Sequence, residues 1–171
     1  MALVRLAGIS PESIVDGSGL RYTIFLQGCS HNCKGCQNPD THSFDGGYTI
    51  DTEEILNEVL SNPMLDGITL SGGDPFFQAK NLIKLCKDIK NNNLDIWAYT
   101  GFKFEDFINK SNGITNDMVE LLKNIDILVD GPFILEQKTL NIKFRGSRNQ
   151  RIIDVKKSLN IEKVIEKRGL R

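Results

Sequence analysis

Hydrophobic and polar positions divide the chain into short apolar runs and longer amphipathic segments. The short runs are rich in β-branched and aromatic residues and predict four buried strands, at residues 22–27, 67–71, 94–99 and 125–130. The amphipathic segments between them repeat their apolar residues at helical spacing and predict three helices, at residues 51–60, 78–91 and 115–123. Strands that alternate with helices in this way predict right-handed crossovers and a parallel sheet.

The first two predicted helices each have a clear apolar face. In the first, this face carries Ile55, Leu56, Val59 and Leu60, and Asp51 and Glu54 have the spacing of an N-terminal capping box. In the second, the apolar face carries Leu82, Ile83, Leu85, Cys86 and Ile89. We therefore expect Cys86 to be a core residue, because a free cysteine on an apolar face behaves as a small hydrophobic group.

Small or polar residues follow each of the four predicted strands. They are Cys29, the Gly72-Gly73-Asp74 run, Thr100 and the Asp130-Gly131 pair. The carboxyl ends of parallel strands meet at one edge of a sheet, and the loops there carry the functional residues of α/β folds. We therefore expect these four loops to converge on one site.

Composition and charge narrow the possible functions. The chain has 171 residues, 40% apolar and 25% charged, which fits a single globular domain over residues 1–171. Its net charge of −1 predicts no general attraction to nucleic acid or to an anionic membrane. The N-terminus lacks a signal-peptide pattern, and no apolar run is long enough to span a bilayer. We expect a cytoplasmic protein, with no nucleic-acid or membrane partner, whose thiols stay reduced.

Three of the four cysteines form the run Cys29-x3-Cys33-x2-Cys36. Their neighbours are polar or small, so the run fits a metal centre better than a buried core. A structural zinc site would need His31 or His42 as its fourth ligand. An iron–sulfur cubane normally takes four thiolates, and the fourth cysteine is predicted to lie in the core. Three thiolates would leave one iron open to bind a ligand from solution.

The residues alone leave several alternatives open for the other loops. The Gly72-Gly73 pair permits close approach of the backbone to a ligand, and Asp74 offers an acceptor for an ammonium group, but Gly-Gly-Asp-Pro is also ordinary turn chemistry. Asp130 either lines a pocket or belongs to a turn. The basic run contains Arg145, Arg148 and Arg151. These arginines form a solvated face, pair with carboxylates of a partner protein, or close over a cofactor.

The cysteine spacing, directly after a strand, resembles the signature of radical S-adenosylmethionine enzymes. Six motifs, of which the first two contain these cysteines, follow the same order as in one branch of those enzymes. The ordered set reads IVDGSGLRYTIFLQGC, CKGCQNP, LSGGDP, WAYTGF, LVDGPF and FRGSRNQR and covers residues 14–151. In this set the chain resembles the anaerobic ribonucleotide reductase-activating proteins, a family of glycyl-radical-enzyme activases.

The resemblance implies a cofactor site. A 4Fe–4S cluster would be held by Cys29, Cys33 and Cys36, and its open iron would chelate the amino and carboxylate groups of S-adenosylmethionine. The residues implied to bind this cofactor are Gly35, Cys36, Gln37, Gly72, Gly73, Asp74 and Thr100, with Thr100 near the ribose. No catalytic residue is implied beyond the cluster ligands. Two positions depart from the wider pattern, since Asp74 replaces a glutamate and Gly35 replaces an aromatic residue.

The resemblance also implies a fold and an activity. The fold would be a single-domain, incomplete (β/α) barrel with a core of about residues 14–151 and a C-terminal tail of 152–171. The activity would be that of a radical S-adenosylmethionine oxidoreductase. It would cleave its cofactor to a 5′-deoxyadenosyl radical and take a hydrogen from a glycine of anaerobic ribonucleoside-triphosphate reductase. A low-potential donor such as flavodoxin, or a dithiol system, would supply the electron.

Four other functions remain compatible with the sequence. Two are enzymes, namely an activase of another glycyl-radical enzyme and a radical enzyme that acts on a small molecule. The third is a non-catalytic iron–sulfur electron carrier with Cys86 as its fourth ligand. The fourth is a zinc-stabilised interaction module.

Overall fold

The computed structural model describes residues 2–170, and within them it shows an α/β fold built on one sheet. The strands are β1 (Leu3–Ser13), β2 (Arg21–Leu26), β3 (Tyr48–Asp51), β4 (Gly67–Gly72), β5 (Asp95–Tyr99), β6 (Ile127–Asp130) and β7 (Arg151–Asp154). The α-helices are α1 (Thr52–Ser61), α2 (Ala79–Asn91), α3 (Phe104–Asn109), α4 (Asn116–Leu122) and α5 (Val155–Ile161). The four strands and three helices predicted from the sequence are all present.

The sheet has the strand order β3-β1-β2-β4-β5-β6-β7. Its centre is parallel, because β2, β4, β5 and β6 pair in parallel register. The outer strands β1, β3 and β7 pair antiparallel to their neighbours. Among the described strands the two edges, β3 and β7, do not pair with each other, so the barrel is not closed. The predicted α/β class with an incomplete barrel is confirmed. The antiparallel strands β1, β3 and β7 were not predicted.

Helix α1 spans Thr52–Ser61, one residue later than predicted, and its cap differs from the prediction in detail. Asp51 is the N-cap, and its side chain accepts a hydrogen bond from the Glu53 N–H at 2.9 Å. The predicted reciprocal bond from Glu54 is absent from the hydrogen bonds of the described residues. The predicted apolar face is also narrower, since Ile55 and Val59 are fully buried whereas Leu60 is exposed.

Helix α2 packs against α1 and α4 and contributes to the main core. Cys86 is fully buried there, as predicted. Burial raises the pKa of the Cys86 thiol to about 12, so the group stays protonated and packs as an apolar side chain. No helix within residues 2–170 has the length and apolar character needed to cross a membrane.

Backbone hydrogen bonds tie together the loops at the carboxyl ends of the parallel strands. The Gly73 N–H donates to the Leu26 carbonyl at 2.7 Å, which joins the ends of β4 and β2. The Thr100 N–H donates to the Val129 carbonyl at 3.0 Å, which joins the ends of β5 and β6. The predicted convergence of these loops at one edge of the sheet is therefore present.

The C-terminal part of the chain extends the sheet. Strand β7 pairs with β6, and Ile152, Ile153 and Val155 are buried. These residues lie at the start of the predicted C-terminal tail, residues 152–171. The division into one domain with a core of about residues 14–151 stays a prediction, and the structure adds β1 and β7 to the sheet on either side of that range.

Candidate metal and cofactor site

The cysteine loop leaves β2 and is closed on itself by backbone hydrogen bonds. The Gly28 N–H donates to the Thr41 carbonyl at 2.8 Å, and the Cys29 N–H donates to the His42 carbonyl at 3.1 Å. Within the loop, the Cys36 N–H donates to the Cys33 carbonyl at 3.2 Å. The chain therefore turns back between the cysteines and carries three thiols on one short loop.

The three thiols line a cavity of about 500 Å³ at the carboxyl edge of the sheet. This volume lies in the range of about 300–1,000 Å³ that is usual for small-molecule sites. The cavity brings together seven of the residues predicted from the sequence, which are Cys29, Cys33, Cys36, Gln37, Gly72, Gly73 and Thr100. Gly35 and Asp74 are not part of its wall.

Gly35 lies against a leucine rather than against open space. Its φ is +72°, in the left-handed region that favours glycine, and a Cβ there would stand 2.9 Å from the Leu135 Cδ1. The predicted adenine contact of Gly35 stays a prediction. Cys36 and Gln37, in contrast, line the cavity.

Asp74 is buried behind the cavity wall, with 1% of its surface exposed. Its Oδ2 accepts hydrogen bonds from His31 Nε2 at 2.7 Å, from Thr100 Oγ1 at 2.7 Å and from the Gly101 N–H at 2.9 Å. Its Oδ1 accepts from the Phe76 N–H at 3.0 Å. Both carboxylate oxygens are therefore used within the protein. The contact of Asp74 with an ammonium group stays a prediction, and its observed role is to join loops.

His31 fills the space next to Gly101. A Cβ on Gly101 would stand 2.5 Å from the His31 ring, so only glycine permits this contact without movement. The ring also packs against Phe102 and Phe77, with centroid distances of 4.6 and 5.5 Å. Since its Nε2 already bonds to Asp74, His31 supports the wall of the cavity rather than offering that nitrogen to a metal.

Close packing requires glycine at positions 72 and 73, and the sequence alone does not reveal this. A Cβ on Gly73 would stand 2.4 Å from the Gly28 carbonyl oxygen, and one on Gly72 would stand 2.4 Å from the Leu26 nitrogen. Both glycines therefore let the loops after β2 and β4 pack directly against each other. The same lack of side chains leaves backbone groups exposed on the cavity wall.

Burial disfavours the ionised form of Cys29 in the cysteine loop. It raises the pKa of the Cys29 thiol to about 11, against the opposite effect of a hydrogen bond with the His31 backbone, and Asp74, Cys33 and Cys36 add smaller contributions that raise it further. A metal that binds here must therefore displace a proton from Cys29. Among residues 2–170, no three His, Cys, Asp or Glu side chains converge closely enough to hold a single ion. Three thiols around one cavity instead match a cluster, in which each thiolate binds a different iron.

Cys86 does not join this donor set. It lies in α2 within the hydrophobic core and is not part of the cavity wall. His42, the other histidine of the loop, does line the cavity, and its buried Nε2 has no hydrogen-bond partner in the described part of the chain. The three loop cysteines are thus the thiols available to a group in the cavity.

A cover segment, residues 133–150, forms the outer wall of the cavity. It contributes Phe133, Thr139, Leu140, Ile142, Phe144, Arg145, Gly146 and Gln150. The sequence motifs reach only the two ends of this segment, at Phe133 and in the basic run, because residues 134–143 have no regular spacing and no recognisable motif. Tyr99, at the end of β5, also lines the cavity and was missed.

The three arginines of the basic run have different environments. Arg151 forms ion pairs with Asp130 at 2.5 Å and with Glu105 at 2.7 Å. Asp130 is therefore a buried partner of Arg151, and its neighbour Gly131 lines the cavity instead. Arg148 is exposed. Arg145 alone of the three lines the cavity.

Comparisons with known proteins agree with this site. A family model described as "4Fe-4S single cluster domain" matches residues 15–153. An anaerobic ribonucleoside-triphosphate reductase-activating protein of Haemophilus influenzae is 34% identical over 82% of this chain and 91% of the relative. Proteins of the same name from Enterobacteria phage T4 and Vibrio cholerae are 36% and 37% identical, over 84% and 82% of this chain and 90% and 91% of theirs.

The solved structure of QueE from Escherichia coli is also similar to this chain. It aligns with a TM-score of 0.45 and 15% sequence identity, over 58% of this chain and 53% of that chain.

Proposed function

The chain belongs to the family of anaerobic ribonucleoside-triphosphate reductase-activating proteins, and on that premise we propose that it generates a radical from S-adenosylmethionine at a 4Fe–4S cluster. The observation that carries the proposal is the cavity shared by Cys29, Cys33, Cys36 and the Gly72-Gly73 backbone. It combines the donors for an iron–sulfur cluster with room for a small ligand beside them.

The donor set fits a cluster with one open iron. Cys29, Cys33 and Cys36 would each ligate one iron, and Cys86 is too deeply buried in α2 to supply a fourth thiolate. When bound, the cluster supplies one electron that cleaves a carbon–sulfur bond of S-adenosylmethionine, which gives methionine and a 5′-deoxyadenosyl radical. The protein's own tasks are then to bind, to orient and to exclude water.

The loops after β4 and β5 would orient the ligand. Gly72 and Gly73 offer backbone groups at the cavity wall without side chains in the way. The Thr100 hydroxyl donates to Asp74 and accepts from the Phe102 N–H at 3.2 Å. One acceptor lone pair of this hydroxyl remains for a ribose, and its position is fixed by two hydrogen bonds.

The cover segment would limit the access of water to the reaction. Phe133, Ile142 and Phe144 line the cavity from this side. At the mouth, Leu140 is 88% exposed and therefore offers an apolar contact at the entrance. Exclusion of water protects a reactive radical from side reactions.

The partner in this proposal is an anaerobic ribonucleoside-triphosphate reductase. The 5′-deoxyadenosyl radical would take a hydrogen atom from one glycine of that protein, giving 5′-deoxyadenosine and a glycyl radical. A low-potential donor such as flavodoxin would supply the electron for each cleavage. The names of the relatives support the partner.

Electron paramagnetic resonance tests the partner directly. The cluster-loaded protein is mixed without oxygen with an anaerobic reductase, S-adenosylmethionine and reduced flavodoxin. We expect an organic radical signal on the reductase that is absent with Cys36→Ala and retained with Cys86→Ala. A signal on another glycyl-radical enzyme, but none on the reductase, would contradict the proposed partner and favour a different activase role.

A further inference from the structure

Arg145 is the one lysine or arginine that lines the cavity within residues 2–170. Its Nε is buried and has no hydrogen-bond partner in the described chain, and no carboxylate there lies within 4.0 Å of its guanidinium. Arginine stays charged and carries five N–H donors. A buried polar group without a partner is unusual in a folded protein and calls for an explanation such as a bound ligand.

The neighbouring residues put Arg145 close to the cysteine loop. Gly146 lies against Gln37, since a Cβ on Gly146 would stand 3.3 Å from the Gln37 Nε2. Gln37 directly follows Cys36. Arg145 therefore lines the same cavity as the three loop cysteines, and the residue after it lies against Gln37 of that loop.

The backbone around Arg145 is held in a conformation that aromatic residues rarely adopt. Phe144 has a φ of +61°, in the left-handed region. Its ring packs edge-on against Trp97 at a centroid distance of 5.2 Å, and Trp97 is buried. On the other side, the Gly146 N–H donates to Gln150 Oε1 at 2.8 Å. Contacts on both sides thus fix the point at which Arg145 enters the cavity.

The other two arginines of the basic run, Arg148 and Arg151, have environments that differ from that of Arg145. Arg151 is neutralised by Asp130 and Glu105 and joins β7 to α3 and β6. Arg148 is exposed. The cavity wall also carries Asp16, whose carboxylate accepts from Ser13 Oγ at 2.6 Å. Arg145 is therefore the charge in this wall that suits an anionic group.

We propose that Arg145 binds the carboxylate at the methionine end of S-adenosylmethionine. This inference rests on the proposed function, because it takes S-adenosylmethionine as the ligand of the cavity. Guanidinium and carboxylate form paired, charge-assisted hydrogen bonds, which are among the strongest in proteins. Loss of such a pair weakens binding by about 10- to 100-fold.

Equilibrium dialysis of cluster-loaded, unreduced protein tests the inference without any turnover. The two probes are S-adenosylmethionine and its decarboxylated analogue, which lacks only the carboxylate. The variants are Arg145→Gln, Arg145→Lys and, as a matched control that removes the same charge from the same segment, Arg148→Gln. Iron content and unfolding midpoints are measured for each variant, so that only loaded, folded proteins are compared.

We expect Arg145→Gln to weaken binding of S-adenosylmethionine by about 10- to 100-fold and to change binding of the decarboxylated analogue by less than about threefold. Arg145→Lys should recover part of the affinity, because it keeps the charge and loses the paired geometry. Arg148→Gln should bind both ligands as the wild type does. This pattern separates a contact with the carboxylate from a general effect on the cover segment.

Three results would overturn the inference. Equal losses for both ligands would mean that Arg145 shapes the loop and does not bind the carboxylate. Unchanged binding of S-adenosylmethionine by Arg145→Gln would reject the inference and leave the proposed function intact. If such a variant also activated the reductase poorly, Arg145 would be assigned to contact with the partner protein. Failure of the loaded wild type to bind S-adenosylmethionine would reject both.

Discussion

His31 Nε2 donates a hydrogen bond to Asp74 Oδ2 at 2.7 Å, and this contact joins the cysteine loop to the loop after β4. The same oxygen accepts from Thr100 Oγ1 and from the Gly101 N–H, which belong to the loop after β5. One buried carboxylate therefore holds three loops of the cavity in a fixed arrangement. It acts on the site through its neighbours, because it is not itself part of the wall.

Removal of this carboxylate should destabilise the protein. We expect Asp74→Ala to lower the free energy of unfolding by about 2–4 kcal/mol, because four donors, two of them in buried hydrogen bonds, lose their acceptor. Denaturant titration of the metal-free protein, followed by the fluorescence of Trp97, measures this. Asp88→Ala, which removes an exposed i,i+4 partner of Lys84, is the control and should cost less than about 0.5 kcal/mol. An equal cost for the two variants would contradict the role given to Asp74.

Asp74→Glu separates a buried junction from a ligand contact. A side chain that faces a ligand would have room for the extra methylene of glutamate. In the buried position observed here the methylene has no room, so we expect a loss of about 1–3 kcal/mol in the free energy of unfolding. A variant as stable as the wild type, with tighter binding of S-adenosylmethionine, would instead indicate that Asp74 faces the ligand.

The three loop cysteines should be required for the cluster, and the fourth should not. We expect Cys29→Ala, Cys33→Ala and Cys36→Ala to lose the iron and the broad visible absorption of anaerobically reconstituted protein. Cys86→Ala should keep both and lose about 1 kcal/mol of stability, because the thiol leaves a small cavity in the core. Loss of the cluster in Cys86→Ala would favour a four-thiolate electron carrier, and full iron in any of the other three would contradict its assignment as a ligand.

Gly73 should not tolerate a side chain. A Cβ there would stand 2.4 Å from the Gly28 carbonyl oxygen, which belongs to the backbone of the cysteine loop. We expect Gly73→Ala to cost about 1–3 kcal/mol of unfolding free energy and to lower the yield of loaded cluster. Gly8→Ala is the control, because nothing lies within 4 Å of its added Cβ. Equal denaturant midpoints for Gly73→Ala and Gly8→Ala would contradict this prediction, because they would show that the packed loops accommodate the added methyl group.

The pair of Glu105 and Arg151 should make stability depend on pH in the acid range. The Arg151 hydrogen bonds lower the pKa of Glu105 from 4.5 to about 2. Since the folded pKa lies below the unfolded one, the contribution is present above about pH 4.5 and is lost as the pH falls towards about 2.

The size of this effect is small because the Glu105 side chain is 52% exposed. We expect it to be below about 1 kcal/mol. The difference in unfolding free energy between wild type and Glu105→Gln should therefore shrink as the pH falls from about 4.5 to about 2. A difference that stays constant over this range would mean that the pair does not titrate as described.

Local sequence signals were enough to predict the parallel part of the fold. Strands β2, β4, β5 and β6 are apolar runs between amphipathic helices, and they were found because both of their faces are covered. Strand β1 (Leu3–Ser13) mixes charged, small and apolar residues and pairs antiparallel with both of its neighbours, so it lacks that signal. Strands β3 and β7 have four residues each, too few for a periodic pattern.

The candidate site, like the fold, could be predicted only in part from the sequence. The cysteine spacing and the glycine pair are contiguous in sequence and were predicted. The bond between His31 and Asp74 joins residues 43 positions apart. Arg145 lines the cavity next to Phe144, which packs on the distant Trp97. Such contacts arise from tertiary packing, and no motif within either segment contains them.

The central claim is that the loaded protein cleaves S-adenosylmethionine to a radical. The measurement is the amount of 5′-deoxyadenosine formed when the anaerobically reconstituted protein is reduced with dithionite and given S-adenosylmethionine, alone and with an anaerobic reductase. We predict product from the wild type and from Cys86→Ala, and none from the variants that lack Cys29, Cys33 or Cys36. A fully loaded wild type that forms no 5′-deoxyadenosine under either condition would contradict the claim.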